Sequence, residues 1–248
     1  MSEIPKTHPR YHSLTLRHLI TDGLKAGLAT EAALLAHGRG EAFYYLLGEK
    51  THDFAHEAIQ AASALIVTAR HPVFSVNGNT ASLAGQELLD LVKAYPRLKV
   101  EVNLFYHSPE RSRRIREHLQ GFGIPGVLES CAADNVELTT IESPRRRMNP
   151  EGIAKADGVV VALEDGDRCQ ALVEAGKQVI AIDLNPLSRT AQLAHVSIVD
   201  ELTQVIPLLA AQISADLQAD PASLAERIEA YDNRAILDRA IGAIRTGA

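Results

Sequence analysis

Val179–Asp200 reads VIAIDLNPLSRTAQLAHVSIVD, and the way this pattern breaks decides the fold. An apolar, β-branched run stops at Asp183. A polar loop follows, carrying Asp183, Asn185, Pro186, Ser188, Arg189 and Thr190, and a second apolar run resumes near Val196. In an open parallel α/β sheet, ligands sit outside the carboxyl ends of the strands. Acids, amides, hydroxyls and one arginine gathered at such an end can grip a ribose and a phosphate chain. Asn-Pro and Ser are also ordinary turn chemistry, so a plain surface loop is the competing reading.

The same alternation extends outward from this stretch. Strand candidates are Val73–Val76, Leu98–Asn103, Gly158–Leu163, Val179–Asp183 and Val196–Val199. Amphipathic helices are expected between them, near Ser82–Tyr95, Pro109–Phe122, Pro150–Ala156 and Asp167–Ala175. Pro109 after Ser108 and Pro150 after Asn149 read as first-turn prolines behind caps, and Gly176 as a residue just past a helix end. Val136–Ile141 is a weaker strand pattern. Strands alternating with helices of this length imply right-handed crossovers and a parallel sheet. Before Pro72 the chain reads as helical: Leu14–Ala26, a start at Thr30-Glu31, then Glu41–Leu47 and Thr51–Ala69. The tail from Glu201 reads as two helices broken at Asp220-Pro221. The expected architecture is α/β: a Rossmann-like open parallel sheet with helices on both faces and a helical N-terminal extension. We expect a single domain over 1–248, with the extension at 1–70, the core at 71–210 and a helical tail at 211–248.

Composition narrows the function classes. At 46% apolar and 23% charged residues, the chain is ordinary for a globular protein, and 248 residues suffice for a core without staples. A formal net charge of -6 argues against nucleic-acid binding. Cys131 and Cys169 form no CxxC and fit a reducing compartment. The polar start MSEIPKTHPRYHS does not read as a signal peptide, and no apolar run approaches the ~20 residues of a membrane helix. A cytoplasmic protein without membrane partners is expected.

Each motif carries a bland alternative. Ala36–Phe43, AHGRGEAF, has two glycines but no third, and follows a helix, so it is not a dinucleotide fingerprint. Gly48-Glu49-Lys50-Thr51 is not a phosphate-binding P-loop. What remains is His37 and Arg39 in a glycine-flanked turn between two helices, where Arg39 can present a planar fork to an anion or simply be solvated. His52 and His56 have zincin spacing, but Asp53 replaces the needed glutamate and no third ligand is evident, which favours a solvated helix face. Val73–Asn79, VFSVNGN, and Val102–Tyr106, VNLFY, each end a strand with amides. Leu163–Arg168, LEDGDR, ends another with Glu164, Asp165 and Asp167, which suit either Mg²⁺ or a helix cap. Arg145, Arg146 and Arg147 make a basic loop. Arg111, Arg113, Arg114 and Arg116 read as a solvated helix face. Polar groups at several strand ends together point to a binding crevice.

These segments carry a resemblance. IPKTHPRYHSL with Arg17, AHGRGEAF with YLLGEKT, SVNGN, EVNLFYHSPER, ESPR, LEDGDR, GKQVIAIDLNPLSRTA and IVDELT follow one another over roughly residues 4 to 206. In that order the chain resembles the archaeal-type 4-phosphopantoate–β-alanine ligases, or phosphopantothenate synthetases. The resemblance implies ATP-dependent amide formation in coenzyme A biosynthesis: 4-phosphopantoate and ATP give an acyl-adenylate, and β-alanine displaces AMP. It implies nucleotide contacts at Arg17, Arg39, Asp183, Leu184, Asn185, Ser188, Arg189, Asp200 and Glu201. Asn77, Asn79, Asn103 and Arg145 are the candidates for phosphopantoate, with His37 near the reacting carboxylate. His37, Arg39 and Arg189 are the catalytic candidates, and ATP with Mg²⁺ the cosubstrate; no protein-bound metal is assigned. The resemblance, and apolar helical faces in excess of what the sheet requires, imply a homodimer. Competing classes are a non-catalytic nucleotide-binding regulator, which would release no pyrophosphate, and a pantoate kinase, which would form ADP and be expected to carry a glycine-rich phosphate cradle.

Overall fold

All five predicted strands form, and they lie parallel in one sheet. In chain order the strands are β1 (Pro72–Val76), β2 (Lys99–Val102), β3 (Leu128–Glu129), β4 (Val136–Glu137), β5 (Arg147–Met148), β6 (Gly158–Ala162), β7 (Gln178–Asp183) and β8 (Val196–Val199). The computed structural model describes residues 4–104, 108–130, 136–137 and 147–247. The main sheet has the order β3-β2-β1-β6-β7-β8, while β4 and β5 pair as a small antiparallel ribbon. The edge strand β3 was not anticipated: two residues are too few to show a period.

Side chains alternate across the sheet, and each face is covered, which explains the near-continuous apolar runs. Phe74, Val76, Val160, Ala162, Ile180 and Ile182 join one core cluster. Val73, Val159, Val161, Val179 and Ala181 join the other. Helices α3 (Asp53–Thr68), α5 (Gly85–Ala94) and α9 (Leu202–Asp216) supply the first cluster, and α7 (Gly166–Glu174) the second. The fold is an α/β Rossmann-like sheet with helices on both faces. The N-terminal helices α1 (Tyr11–Lys25) and α2 (Glu31–Leu47) join the first cluster through Leu16, Ile20, Phe43 and Leu47.

Several boundaries differ from the expectations. His37 and Arg39 do not sit in an interhelical turn: α2 runs unbroken through Gly38 and Gly40. Each glycine costs about 1 kcal/mol in a helix, which buried Phe43, Tyr44 and Leu47 outweigh by docking the far end. Pro150–Ala156 forms turns rather than a helix, because buried Glu101 captures one backbone donor within it and another just before it. Glu101 accepts from the Asn149 N–H (3.1 Å) and the Ile153 N–H (2.6 Å). The helix expected near Ser82–Tyr95 starts earlier, as α4 (Gly78–Leu83), and breaks at Ala84 before α5. A short helix α8 (Arg189–Leu193) occupies the end of the DLNPLSRT loop. The tail holds three helices, α9, α10 (Pro221–Ala230) and α11 (Asn233–Thr246). Asp232 makes the second break by capping α11 through the Ala235 N–H (3.1 Å). Pro109–Phe122, α6, forms as predicted, with the Ser108 hydroxyl accepting from the Arg111 N–H (3.2 Å).

Candidate active site

Strand order reverses between β1 and β6, and a crevice opens at such a switch point, outside the carboxyl ends. A cleft of about 300 Å³ lies there, lined by Arg39, Asn77, Asn79, Arg111, Glu164 and Asp165 among others. Asn77 builds its mouth. Its Oδ1 caps α4 by accepting from the Thr80 N–H (3.1 Å), and its Nδ2 donates to the Ala162 carbonyl across to β6 (2.7 Å). Leu163, the next residue along, is the only described non-glycine residue with positive φ, at 47°. Such strain persists where surrounding structure imposes it and is frequent at functional sites. The start of α4 presses so close to the chain before α2 that a Cβ on Gly78 would stand 2.6 Å from the Leu28 carbonyl oxygen. Asn79 is buried, and its Oδ1 has no hydrogen-bond partner. Asn103, at the end of β2, donates through Nδ2 to the Arg147 carbonyl (2.9 Å), leaving its own Oδ1 unpartnered. Arg145 lies outside the described residues.

The loop after β7 organises itself around Asp183. This buried carboxylate accepts from the Asn185 N–H (3.0 Å) and the Ser188 hydroxyl (2.6 Å), and Ser188 in turn caps α8 through the Ala191 N–H (3.0 Å). Burial pushes the Asp183 carboxyl above the usual range, against these donors and nearby Arg39. Leu184 is buried, while Asn185 is exposed. Arg189 turns away from the cleft and bonds Asp167 and Gln170 on α7. An apolar groove of about 450 Å³ borders the loop, lined by Phe43, Leu46, Leu184, Pro186, Ile241 and Ile244, with Arg39 at its margin. Arg39 therefore lines both the switch-point cleft and this groove.

A third group of residues surrounds the end of β8. Glu201 caps α9, accepting from the Thr203 N–H (2.7 Å), and the Thr203 hydroxyl also reaches His12 Nε2 (3.3 Å). His12 lies 3.8 Å from Glu201, and the interaction with that carboxylate raises its pKa over the opposing effect of burial. His37 is buried and its pKa lowered by desolvation, although Glu201 and Glu41 act the other way. Arg17 and Arg10 share Glu41. Asp200 is 2% exposed. Its Oδ1 accepts from the Glu201 N–H (2.7 Å), and its Oδ2 has no hydrogen-bond partner, the nearby Thr51 hydroxyl donating to Gln204 (3.4 Å). Burial pushes the Asp200 carboxyl up to about 7.

In the LEDGDR segment the carboxylates cap a helix and pair with arginines. Asp165 accepts from the Asp167 N–H (2.8 Å) at the start of α7, and Asp167 pairs with Arg189. The buried Glu164 carboxylate lies 3.6 Å from Nε of Arg168, which burial lowers to about 10. Among the described residues no three His, Cys, Asp or Glu side chains are placed to hold a metal ion. His52 precedes α3, and its Nε2 bonds the Leu47 carbonyl (2.8 Å), so it and His56 do not form a zinc pair.

The predicted residues thus fall into two adjoining groups. Asp183, Leu184, Asn185 and Ser188 end or follow β7 and Asp200 and Glu201 follow β8, with Arg39 near Asp183 and His37 near Glu201 and Arg17. Asn77, Asn79 and Arg39 line the switch-point cleft, and Asn103 ends the neighbouring strand. Among the described candidates Arg189 alone turns away. Sequence reasoning missed His12, Thr203 and Arg111. Only Arg111 had a local signal: its place in the first turn of a helix that begins at the carboxyl edge.

Comparison with known proteins bears on this arrangement. The profile of the phosphopantothenate/pantothenate synthetase family matches residues 54–247. The chain is 42% identical over 245 residues to a 4-phosphopantoate–β-alanine ligase of Thermococcus onnurineus, covering 99% of this chain and 93% of that one. A ligase of the same name from Methanosarcina mazei is also 42% identical over 245 residues, covering 99% and 95%. Another, from Thermococcus kodakarensis, is 46% identical over 207 residues, covering 84% and 78%.

Proposed function

This chain belongs to the phosphopantothenate/pantothenate synthetase family, and from that premise we propose how its site works. It is a ligase of coenzyme A biosynthesis that joins 4-phosphopantoate to β-alanine. In our reading ATP drives the reaction in two steps. A carboxylate oxygen of 4-phosphopantoate attacks the α-phosphorus of ATP, and pyrophosphate leaves. The β-alanine nitrogen then attacks the acyl carbon, loses a proton and expels AMP, giving 4′-phosphopantothenate.

The position of Arg39, lining both the switch-point cleft and the groove along the Asp183 loop, carries this reading. Two anions must meet, and a guanidinium between their sites offsets charge where it accumulates. The nucleotide lies along Asp183, Leu184, Asn185 and Ser188, with Asp183 or Asp200 accepting from ribose or adenine and Glu201 closing the far side. Arg17 and Arg39 face the phosphates; Arg189 joins them by exchanging Asp167 for phosphate. The acid occupies the switch-point cleft against Asn79, with Asn103 at the end of the neighbouring strand, and Asn77 shapes the mouth. His37, held neutral by burial, sits by the reacting carboxylate. No acid cluster among the described residues is arranged for Mg²⁺, and no step is assigned to it.

Exposed Leu19, Leu35, Tyr45 and Leu46 on α1 and α2, with exposed Leu187 in the Asp183 loop, support a homodimer formed through this face. Among the described residues no helix is long and apolar enough to cross a membrane. The deciding experiment incubates the protein with ATP, 4-phosphopantoate and β-alanine and identifies products by mass. AMP, pyrophosphate and 4′-phosphopantothenate are expected; ADP and phosphate would overturn the adenylate route.

A further inference from the structure

One guanidinium has no role in that reading. Helix α6 carries four arginines within six residues, and they do not share one environment. Arg113 faces Glu117, Arg114 faces Glu110 and Arg116 faces Glu129. Arg111 instead lines the switch-point cleft and is half-buried there. Burial lowers its pKa, yet a guanidinium remains charged under any such shift. Beside it in the cleft, Asn79 is 7% exposed and keeps one amide atom without a partner. An amide side chain can offer either its oxygen or its N–H₂ to what lies in front of it.

Topology separates the two arginines of the cleft. Arg111 enters from the β2 side, on the helix that follows that strand, while Arg39 also lines the groove beside the β7 loop. The acid substrate is anionic at both ends. On the proposed function, on which this inference rests, its carboxylate must lie toward Arg39 to reach the nucleotide. Its phosphoryl end is then directed to the opposite wall. We infer that Arg111, seconded by Asn79, binds the phosphoryl group of the acid and is the residue by which the enzyme prefers the phosphorylated acid over pantoate. Arginine's planar fork matches two phosphate oxygens at once, and a site built for such a pair discriminates strongly against a ligand that lacks it.

The test compares wild type, R111A and R111K with 4-phosphopantoate and with pantoate, at saturating ATP and β-alanine. For R111A the preference ratio in kcat/KM should fall by roughly 100-fold or more, with KM for ATP within about 2-fold of wild type. R111K keeps charge and most of the volume but loses the fork, and should fall between the two. Inorganic phosphate should compete with 4-phosphopantoate on the wild-type enzyme and not with ATP, a measurement that needs no variant. Equal losses on both acids, a rise confined to the KM for ATP, or phosphate competing only with ATP would overturn the inference. Wild type that forms no 4′-phosphopantothenate would instead overturn the reading beneath it.

Discussion

Replacing Asp200 by Asn should make the protein's stability less sensitive to pH, and the size of the change follows from the end of β8. Burial is the largest influence on this carboxyl, one of whose oxygens has no hydrogen-bond partner, and it raises the pKa from 3.8 to about 7. The Glu201 charge acts in the same direction, and the Glu201 N–H, Thr51 and His12 act against it. The folded state therefore holds this proton more tightly than the unfolded chain. Stability contributed by the group is largest at low pH and is lost as pH rises through about 7. Between pH 5 and pH 8 the wild type should lose about 2–3 kcal/mol through Asp200 alone. Asn has the same shape and does not titrate. Any fixed cost of its amide in that position, about 1–3 kcal/mol, displaces the variant's curve without tilting it. The assay is urea unfolding of both proteins at fixed concentration across that range, with linear extrapolation. The difference between the curves is dominated by Asp200, because the lowered His37 is common to both and the Asp200 charge is the smallest of the influences on His12. Parallel curves would refute the reasoning, showing an Asp200 that ionises as it does in the unfolded chain.

Arg39→Ala should lower kcat/KM by about 10- to 150-fold, the loss of one charge-assisted contact of about 1.5–3 kcal/mol. Urea unfolding should change by less than about 0.5 kcal/mol, because Arg39 is exposed; full activity would remove it from the site. Gly78→Ala should cost about 1–3 kcal/mol, since the new Cβ meets backbone at Leu28 and Ala29 that cannot swing aside. Thermal melting reads this, and an unchanged midpoint would contradict the close packing of α4 against that chain. Arg168→Met should cost about 3–5 kcal/mol in urea unfolding, because it strips the buried cation from Glu164 and Glu101. A neutral outcome would show that those carboxylates are satisfied without it.

Much of the fold was legible because parallel strands covered on both faces must be apolar throughout, and five such runs stand out between caps and turn residues. Pro109–Phe122 was read to its ends, since Ser108, Pro109 and Gly123 mark both boundaries locally. Pro150–Ala156 carried a similar proline signal and misled, because the deciding group is Glu101, some fifty residues away. The turn expected at Gly38–Gly40 failed for a related reason: tertiary docking of α2 overrode two local glycine penalties. At the site, the Asp183 loop was visible as a pattern of polar residues behind a strand. That Arg189 turns outward was not visible, because its partners Asp167 and Gln170 lie on α7. Arg111 was read with its three neighbours as solvated, although helical geometry gives each a different face.

The contact between His12 and Thr203 spans 191 positions of chain, and this gives the site a history in time. During synthesis α1 and α2 emerge long before the end of β8 that completes their setting. At about 5–20 residues per second they wait roughly 10–40 s on the ribosome. Throughout that interval His12 and His37 lack the Glu201 carboxylate that stands near them in the folded chain. A contact of this span belongs to the slow long-range events of folding, and on the proposed function nucleotide capture has to wait until that part of the chain has been made.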